Sequence, residues 1–239
     1  MTHLPAGWTI ERVRESAGAF HGRQVQDPVE RAVWVCEPTG PALVLGSAQG
    51  DERVDREVCA AAGVDVVRRR SGGGAVLVVP GEVLWVDIVL PASDLLWQAD
   101  VGRAFLWVGE TWASALEELG VRADVHRGGL VRTPWSRDVC FAGLGPAELT
   151  VDGRKVVGLS QRRTRRAARF QCAVLGRWAP SELLDLLRLT PDERVAAESG
   201  IADAAAGVGV PFDALRTSLL RHLPELPGEG VDLGPHGGA

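Results

Sequence analysis

Short apolar runs between residues 31 and 175, each bounded by Gly, Pro or Asp, constrain the fold of this chain more than any other feature. Such runs are typical of β-strands. They predict strands at 31–37, 42–46, 64–69, 75–79, 83–90, 121–126, 147–151, 155–160 and 169–175. Helical periodicity predicts helices at 51–62, 101–119, 182–189, from 190 onward and at 212–223. Because strands and helices do not alternate strictly, the pattern favours an α+β fold over a doubly wound parallel sheet.

The composition agrees with a folded, soluble chain. Of its 239 residues 46% are apolar and 24% charged, and the net charge of −5 gives no general attraction to nucleic acid or to anionic membranes. The first twenty residues carry charges where a secretory signal needs an apolar stretch, and the apolar run 75–91 is too short and too polar to span a bilayer. We expect a cytoplasmic protein with one folded unit at 1–224 and a flexible Gly/Pro-rich tail at 225–239.

The four cysteines, Cys36, Cys59, Cys140 and Cys172, stand far apart in the sequence. They form no C-x-x-C pair and show no histidine spacing of the kind that zinc requires. Reduced thiols and the absence of a metal site are therefore expected. Cys36 and Cys59 fall on apolar stretches and are interpreted as core residues.

The segment 68–76 reads RRRSGGGAV and separates two predicted strands. Glycines allow close backbone approach and positive φ, and their amides can bind an anionic or carbonyl oxygen next to arginine donors. The simpler alternative is a hairpin turn beside a solvated basic strand end, which composition alone favours. The segment matches neither a Walker loop nor a G-x-G-x-x-G fingerprint.

The chain has 25 arginines and a single lysine, Lys155. Asp152-Gly153 is a strong signal for a type I′ hairpin turn, which places this lysine on a strand just past a rigid turn. A compact ammonium can approach a carbonyl or phosphoryl oxygen as a point charge, or favour a nearby thiolate, in ways that the planar guanidinium does not. The lysine is therefore predicted to serve chemistry rather than to lie on the surface by chance.

These segments together resemble the lipoate-protein ligase and octanoyltransferase enzymes of the biotin/lipoate protein ligase superfamily. The resemblance covers about residues 41–175. Residues 41–49 (PALVLGSAQ) look like an early strand ending in Gly-x-x-Gln, 68–76 look like the substrate loop R-R-x-S-G-G-G-A-V, and 153–162 (GRKVVGLSQR) look like the segment with the active-site lysine.

The resemblance implies a class II synthetase-like catalytic domain with mixed or antiparallel sheets flanked by helices. It implies an enzyme that attaches a lipoyl or octanoyl group to a lysine of lipoyl carrier domains, such as the E2 subunits of 2-oxoacid dehydrogenases and the glycine cleavage H protein. Lys155 would stabilise charge on the acyl oxygen, helped by loop amides. The residues that the resemblance assigns to substrate or nucleotide binding are Arg69, Arg70, Ser71, Gly72, Gly73, Gly74, Ala75 and Gly158.

Two mechanisms are compatible with the resemblance. A ligase would activate free lipoate or octanoate with ATP and Mg²⁺, whereas a transferase would need no cofactor and would take octanoyl from acyl carrier protein onto a cysteine. Cys140-Phe141, fifteen residues before Lys155, is similar to the thioester cysteine of one transferase branch, although a small buried core residue is an equally good interpretation. The 64 residues after Leu175 leave little room for an accessory domain, which favours a transferase or a ligase with a separate partner.

The sequence departs from the family pattern at two histidines. Val78 stands where a histidine follows Ala-Val, and Cys172 stands near a second. A degenerate homologue that binds an acyl group or a carrier domain without catalysis is therefore a further hypothesis. The arginine-rich run 162–169 is interpreted as a solvated loop, or as a docking surface for an acidic lipoyl domain, in preference to a nucleic-acid site.

Overall fold

The protein, described by a computed structural model for residues 4–225, is built on two β-sheets that pack against each other. The predicted flexible tail lies outside these residues except for residue 225. The strands are β1 (Thr9–Glu15), β2 (Ala32–Pro38), β3 (Ala42–Leu45), β4 (Asp65–Arg68), β5 (Val76–Val78), β6 (Val83–Pro91), β7 (Asp124–Val125), β8 (Leu149–Val151), β9 (Arg154–Arg163) and β10 (Ala167–Leu175). The α-helices are α1 (Ala17–Gly22), α2 (Arg56–Ala61), α3 (Val101–Ala104), α4 (Leu106–Glu118), α5 (Pro180–Leu184), α6 (Pro191–Ile201) and α7 (Phe212–Arg221), with 3₁₀ turns at Asp51–Arg53 and Cys140–Ala142.

The larger sheet has seven strands in the order β1-β2-β6-β10-β9-β8-β7, and the smaller has three in the order β4-β3-β5. β1 and β2 are parallel, as are β3 and β4, while the remaining neighbours are antiparallel. The fold is therefore α+β with mixed sheets flanked by helices, as predicted. No helix within residues 4–225 is both long enough and apolar enough to cross a membrane.

Helix α4 covers the outer face of the large sheet, and its predicted apolar stripe is confirmed. Val108, Trp112 and Leu116 are fully buried, because residues four apart lie on one face of a helix. The same core contains Phe170 of β10 and Leu219 of α7. The helix thus closes one side of the sheet and leaves the other side free to face β3 and β5.

The predicted helix at 51–62 is wrong in its first half. Val54 is extended and buried and pairs with Leu187 through a β-bridge, so the chain cannot continue as a helix there. The helix begins at Arg56 with Asp55 as its N-cap, since the Asp55 carboxylate accepts hydrogen bonds from the amides of Glu57 and Val58. Cys59 faces the core as expected, but Val58 is exposed.

Strand β1 was not predicted. Within residues 4–225 it pairs with β2 alone, at the edge of the sheet, and most of its residues, Thr9–Glu15, are exposed. An edge strand with little buried surface carries no apolar run, and the sequence of β1 is rich in charged residues. The periodicity on which the other strand predictions rest is therefore missing.

The interpretation of residues 162–169 as a solvated loop holds for 164–166, which form an exposed turn, but is wrong for the rest of the run. Residues up to Arg163 continue β9, and β10 begins at Ala167, so the run forms a hairpin. Arg169 is buried and forms an ion pair with Asp87 of β6. The guanidinium also donates to the carbonyl oxygens of Phe20 and Arg23, which ties α1 to the sheet.

Candidate active site

A pocket lies between the two sheets, with a cavity volume of about 50 Å³. Its walls come from the inner face of the large sheet, from β3 and β5 of the small sheet, and from α1. Most of the lining is apolar: Val44, Val76, Val78, Val83, Trp85, Phe141, Leu159, Cys172 and Ala173. A slot with this apolar lining suits an aliphatic chain.

One wall of the pocket is polar and fully hydrogen-bonded. The Ser71 hydroxyl lies 3.0 Å from the side-chain amide oxygen of Gln171 and 3.1 Å from the Ser160 hydroxyl. The Gln171 amide nitrogen lies 3.0 Å from His21 Nδ1. These groups face the pocket from the glycine-rich loop, β9, β10 and α1, so the network joins four separate elements at one wall.

His21 is uncharged in this network. Burial, followed by the positive charges of Arg169 and Arg69, lowers the pKa of His21 to about 3. The side chain packs against Trp85, with the two rings 4.5 Å apart. Val78, at the position of the missing motif histidine, forms part of the apolar wall of the same pocket.

The segment 69–75 crosses the end of β3 and joins β4 to β5, so it is not a hairpin turn. Arg69 is buried, and its guanidinium donates to the carbonyl oxygens of Val44 at 3.2 Å, Gly72 at 2.7 Å and Gly74 at 2.9 Å. A planar donor with five N–H groups can hold several carbonyls of one loop at once. Arg69 therefore fixes the loop conformation from inside.

Two glycines let the loop approach neighbouring backbone. A Cβ at Gly46 would overlap the Gly73 carbonyl oxygen, and a Cβ at Gly74 would lie 2.7 Å from the Cys140 nitrogen. Gly73 has φ of +101°, a backbone conformation that favours glycine. Within residues 4–225 the amides of Gly73 and Gly74 donate to no protein acceptor, so they are free to bind an oxygen at this site.

Cys140 is held beside this loop by backbone pairing with Ala75. The Ala75 amide donates to the Asp138 carbonyl at 2.8 Å, and the Cys140 amide donates to the Ala75 carbonyl at 2.9 Å. Ala75 itself is fully buried and serves this pairing. The Cys140 Sγ lies 3.9 Å from a guanidinium nitrogen of Arg69. The thiol is half-buried, whereas the other three cysteines are buried.

The thiol of Cys140 stands between the apolar pocket and a second, wider cavity. This polar groove has a volume of about 610 Å³, and Cys140 lines both spaces. The groove is bordered by Gln49, Arg53, Gly73, Gly74, Leu130, Arg132, Arg137, Asp138, Gly143, Gly145 and Glu148. An acyl chain in the pocket and a polar substrate in the groove would therefore meet at the sulfur.

Lys155 lies on β9 just past the Asp152-Gly153 turn, as predicted. Both turn residues have positive φ, +50° and +75°, which fits the type I′ hairpin. The ammonium is buried and forms an ion pair with Glu148 at 2.6 Å. It also donates to the carbonyl oxygens of Cys140 and Gly143, both at 3.2 Å. It makes no hydrogen bond to the thiol within the described residues.

Gly158 and Arg70 differ in their relation to the pocket. A Cβ at Gly158 would lie 3.1 Å from the Phe141 ring and 3.3 Å from Lys155 Cε, so the glycine lets both side chains approach the strand. Arg70 is exposed. Burial lowers the pKa of Arg162, and the positive charges of Arg70 and Arg169 lower it further. Arg70 thus belongs to a basic surface next to the site rather than to the pocket lining.

Sequence reasoning missed His21, Gln171 and Glu148. For Glu148 strand alternation gives no reliable signal: the hairpin pairs Thr150 with Lys155, but a bulge between Leu149 and Thr150 shifts the register before Glu148 is reached. Gln171 is a polar residue inside an apolar strand, which is a weak signal. Nothing in the sequence near His21 indicates that α1 reaches the pocket.

Residues 19–210 match the family described as the lipoyl protein ligase A/B catalytic domain. The match covers most of the chain and includes the pocket, the glycine-rich loop, Cys140 and Lys155. The chain belongs to this family. The fold and the sequence motifs thus lead to the same assignment.

Similar proteins include two named octanoyltransferases. The chain is 35% identical over 124 residues to octanoyltransferase LipM of Carboxydothermus hydrogenoformans, covering 52% of this chain and 45% of that protein. It is 32% identical over 141 residues to octanoyltransferase LipM of an Exiguobacterium species, covering 56% of this chain and 48% of that protein. The aligned regions span about half the length of these relatives.

Among solved structures, the fold is similar to the bipartite lipoate protein ligase of Thermoplasma acidophilum, described with its E2 lipoyl domain. The TM-score is 0.67 at 18% identity, and the superposition covers 92% of this chain and 82% of that one. A lipoate-protein ligase A bound with ATP superposes with a TM-score of 0.63 at 19% identity, covering 92% of this chain and 84% of that one. At this level of identity the likeness establishes the lipoate ligase fold.

Proposed function

We propose that this protein transfers an octanoyl or lipoyl group to a lysine of a lipoyl carrier domain, with Cys140 as the nucleophile that carries the acyl group. The observation that carries the proposal is the position of Cys140, which lines both the apolar pocket and the polar groove. The names of the LipM relatives support a transferase. A cytoplasmic location fits this proposal, because carrier domains of central metabolism are found there.

The first step acylates the enzyme. The Cys140 thiolate attacks the carbonyl carbon of an acyl thioester on a carrier protein; the new sulfur–carbon bond forms, the carrier's sulfur–carbon bond breaks, and the carrier leaves as a thiol with the proton that Cys140 gave up. The acyl chain then lies in the apolar pocket. The free amides of Gly73 and Gly74 are placed to stabilise charge on the acyl oxygen.

The second step transfers the acyl group. The amine of the target lysine enters through the groove and attacks the thioester; a nitrogen–carbon bond forms, the bond to Cys140 breaks, and the amine proton returns to the sulfur. The Lys155 ammonium, held against the Cys140 carbonyl, supplies a fixed positive charge beside the reacting centre. No cofactor is required for this route.

The carrier partners are an acyl carrier protein as donor and lipoyl domains as acceptors, among them E2 subunits and the glycine cleavage H protein. A cavity of about 280 Å³ near the β9–β10 hairpin is lined by five arginines. Arg23, Arg166 and Arg169 form ion pairs with Glu11, Asp27 and Asp87, whereas Arg162 and Arg165 form none within residues 4–225. Because the chain as a whole carries a net charge of −5, most of its surface does not attract an acidic carrier. The basic groups at this cavity are therefore a favourable place for such a carrier to dock.

A second candidate, an ATP-dependent ligase, is favoured by the size and charge of the groove. Arg132 and Arg137 border it and form no ion pair within residues 4–225, and guanidinium groups with free loop amides fit a phosphate. In that case Arg132, Arg137 and the amides of Gly73 and Gly74 would hold ATP, and Mg²⁺ would arrive with the nucleotide. Adenylation would supply an activated acyl group.

Intact mass spectrometry separates the candidates. The protein is incubated with octanoyl acyl carrier protein, and in parallel with octanoate, ATP and Mg²⁺; the second incubation is repeated without ATP. A hydroxylamine-sensitive octanoyl adduct from the carrier protein alone, absent in Cys140→Ser and retained in Cys59→Ala, supports the transferase. Formation of octanoyl-AMP, or octanoylation that strictly requires ATP, supports the ligase.

A third outcome would leave neither enzyme standing. If the wild-type protein never acylates a lipoyl domain with either donor, the catalytic proposal fails. Retention of the acyl carrier or lipoyl domain on the protein, measured by calorimetry in the same samples, would then favour the non-catalytic binding homologue.

A further inference from the structure

The buried carboxylate of Glu148 is the one charged partner of Lys155 within residues 4–225. The two side chains are 5% and 3% exposed, and Nζ lies 2.6 Å from Glu148 Oε2. An ion pair this deeply buried gains its stability only when the remaining donors and acceptors are also satisfied. Both partners meet this condition.

On the carboxylate side, two backbone amides complete the coordination. Glu148 Oε1 accepts from the Leu159 amide at 2.9 Å, and Oε2 accepts from the Gly145 amide at 2.6 Å. Leu159 belongs to β9, on the strand that carries Lys155, and Gly145 belongs to the segment after Cys140. The carboxylate therefore joins the lysine strand to the cysteine segment.

On the ammonium side, all three protons have acceptors. One goes to Glu148, and the others go to the carbonyl oxygens of Cys140 and Gly143, both at 3.2 Å. An ammonium has three donors and no more. The Phe141 ring lies 4.8 Å from Nζ and closes the side that no oxygen occupies. The lysine is thus fixed in direction as well as in charge.

Glu148 also faces the polar groove. The groove is where the acceptor amine arrives under the proposed function, so the ion pair stands next to the reacting centre and not in a remote core. The carboxylate does not contact Cys140 Sγ. Its effect on the chemistry therefore passes through Lys155 and through the turn at Cys140–Ala142.

We propose that Glu148 is the positioning residue of the site: its carboxylate holds the Lys155 ammonium against the backbone of the Cys140 turn. This inference rests on the proposed function for its kinetic consequence, but not for its structural one. Removal of the negative charge should release the ammonium and loosen the turn even in a protein that is never acylated.

The test uses the single lysine of the chain. Protein labelled with ¹³C,¹⁵N-lysine gives one side-chain ammonium signal, which needs no assignment because Lys155 is the sole lysine. In the wild type we expect a signal protected from exchange with water, since the group is buried and fully bonded. In Glu148→Gln, which keeps the size but removes the charge, we expect the protected signal to vanish.

Kinetics provide the second measurement. Under saturating acyl donor, Glu148→Gln should lower the rate of acyl transfer at least tenfold with little change in KM for the lipoyl domain, and Glu148→Asp should recover part of the rate. Glu110→Gln, at an exposed carboxylate that pairs with Arg127, is the matched control and should behave as the wild type.

The outcomes separate the two proposals. A protected lysine signal that persists in Glu148→Gln would overturn the positioning role, whatever the enzyme does. Loss of the signal together with no acyl transfer by the wild type would keep the positioning role and overturn the proposed function. A folded Glu148→Gln variant that transfers the acyl group at the wild-type rate would also reject the inference. Circular dichroism at equal protein concentration verifies that the variant folds.

Discussion

The Sγ atom of Cys140 lies 3.9 Å from a guanidinium nitrogen of Arg69, whereas the ammonium of Lys155 bonds to the backbone of the same cysteine. The two cations thus divide their tasks. Arg69 is next to the sulfur and ties it to the glycine-rich loop, and Lys155 supports the turn behind it. A site with this division depends on the shape of the guanidinium as well as on its charge.

Arg69→Lys should therefore be damaging although the charge is kept. A lysine cannot donate simultaneously to the carbonyls of Val44, Gly72 and Gly74, and an ammonium lacks the planar fork that holds them. We expect the rate of Cys140 acylation to fall at least tenfold, measured by the appearance of the mass adduct. Arg70→Lys, at the exposed neighbouring position, serves as the control; an equal loss in both variants would contradict the assignment.

Ala173→Leu should shorten the acyl chain that the protein accepts. Ala173 lines the pocket between the sheets, and a larger side chain there removes space that a long acyl chain needs. The ratio of octanoyl to butanoyl adduct on Cys140 should drop about tenfold, measured in competition by intact mass spectrometry. Ala113→Leu on α4, away from the pocket, should leave the ratio unchanged; an unchanged ratio in Ala173→Leu would show that the chain binds elsewhere.

His21 should make the protein lose stability in mild acid. Because burial lowers its pKa to about 3, the unfolded chain binds a proton between about pH 3 and 6.5 that the folded chain does not bind. Stability is therefore complete above pH 6.5 and declines as the pH falls. The decline from pH 7 to 4.5 should be smaller in His21→Gln by about 2–3 kcal/mol, measured by urea unfolding.

His126→Gln is the matched control for that experiment. His126 lies outside the residues that line the pocket, and its ring bonds to the Gly129 carbonyl at 2.8 Å. Its substitution therefore measures the effect of replacing a histidine that does not line the pocket. Identical pH dependence of stability in wild type and His21→Gln would contradict the prediction, because it would mean that His21 binds its proton equally in the folded and the unfolded protein.

Gly46→Ala should displace the glycine-rich loop. The new methyl group would overlap the Gly73 carbonyl oxygen, and this oxygen belongs to the backbone, which yields less readily than a side chain. We expect a loss of about 1–3 kcal/mol in unfolding free energy together with slower acylation of Cys140. Gly40→Ala, where no atom lies within 4 Å of the added carbon, should be nearly neutral.

Local sequence patterns predicted most strands, the α4 stripe and the turn before Lys155, because each depends on residues close together in the chain. The hairpin turn required only Asp152-Gly153, and the stripe required only helical spacing. The family motifs located the loop and the lysine. These features need no knowledge of the tertiary arrangement.

The parts that escaped prediction depend on contacts between distant segments. Strand β1 is exposed and carries no apolar run, and the helix predicted from residue 51 is interrupted because Val54 pairs with Leu187. His21 reaches the pocket from α1, more than a hundred residues away from Gln171 in sequence. Such pairs are set by the packing of the sheets, which no local pattern contains.

The backbone pairing of Ala75 with the Cys140 segment has a consequence for how such a site can diversify. The main-chain pairing sets the distance from Cys140 to the start of β5, whereas side chains of several elements, among them β3, β5, β6, β9 and β10, set the length and width of the slot. The side chains that select the acyl group are thereby separate from the backbone that positions the reactive sulfur. Substitutions in the wall can retune which acyl group is accepted while the sulfur stays where it is.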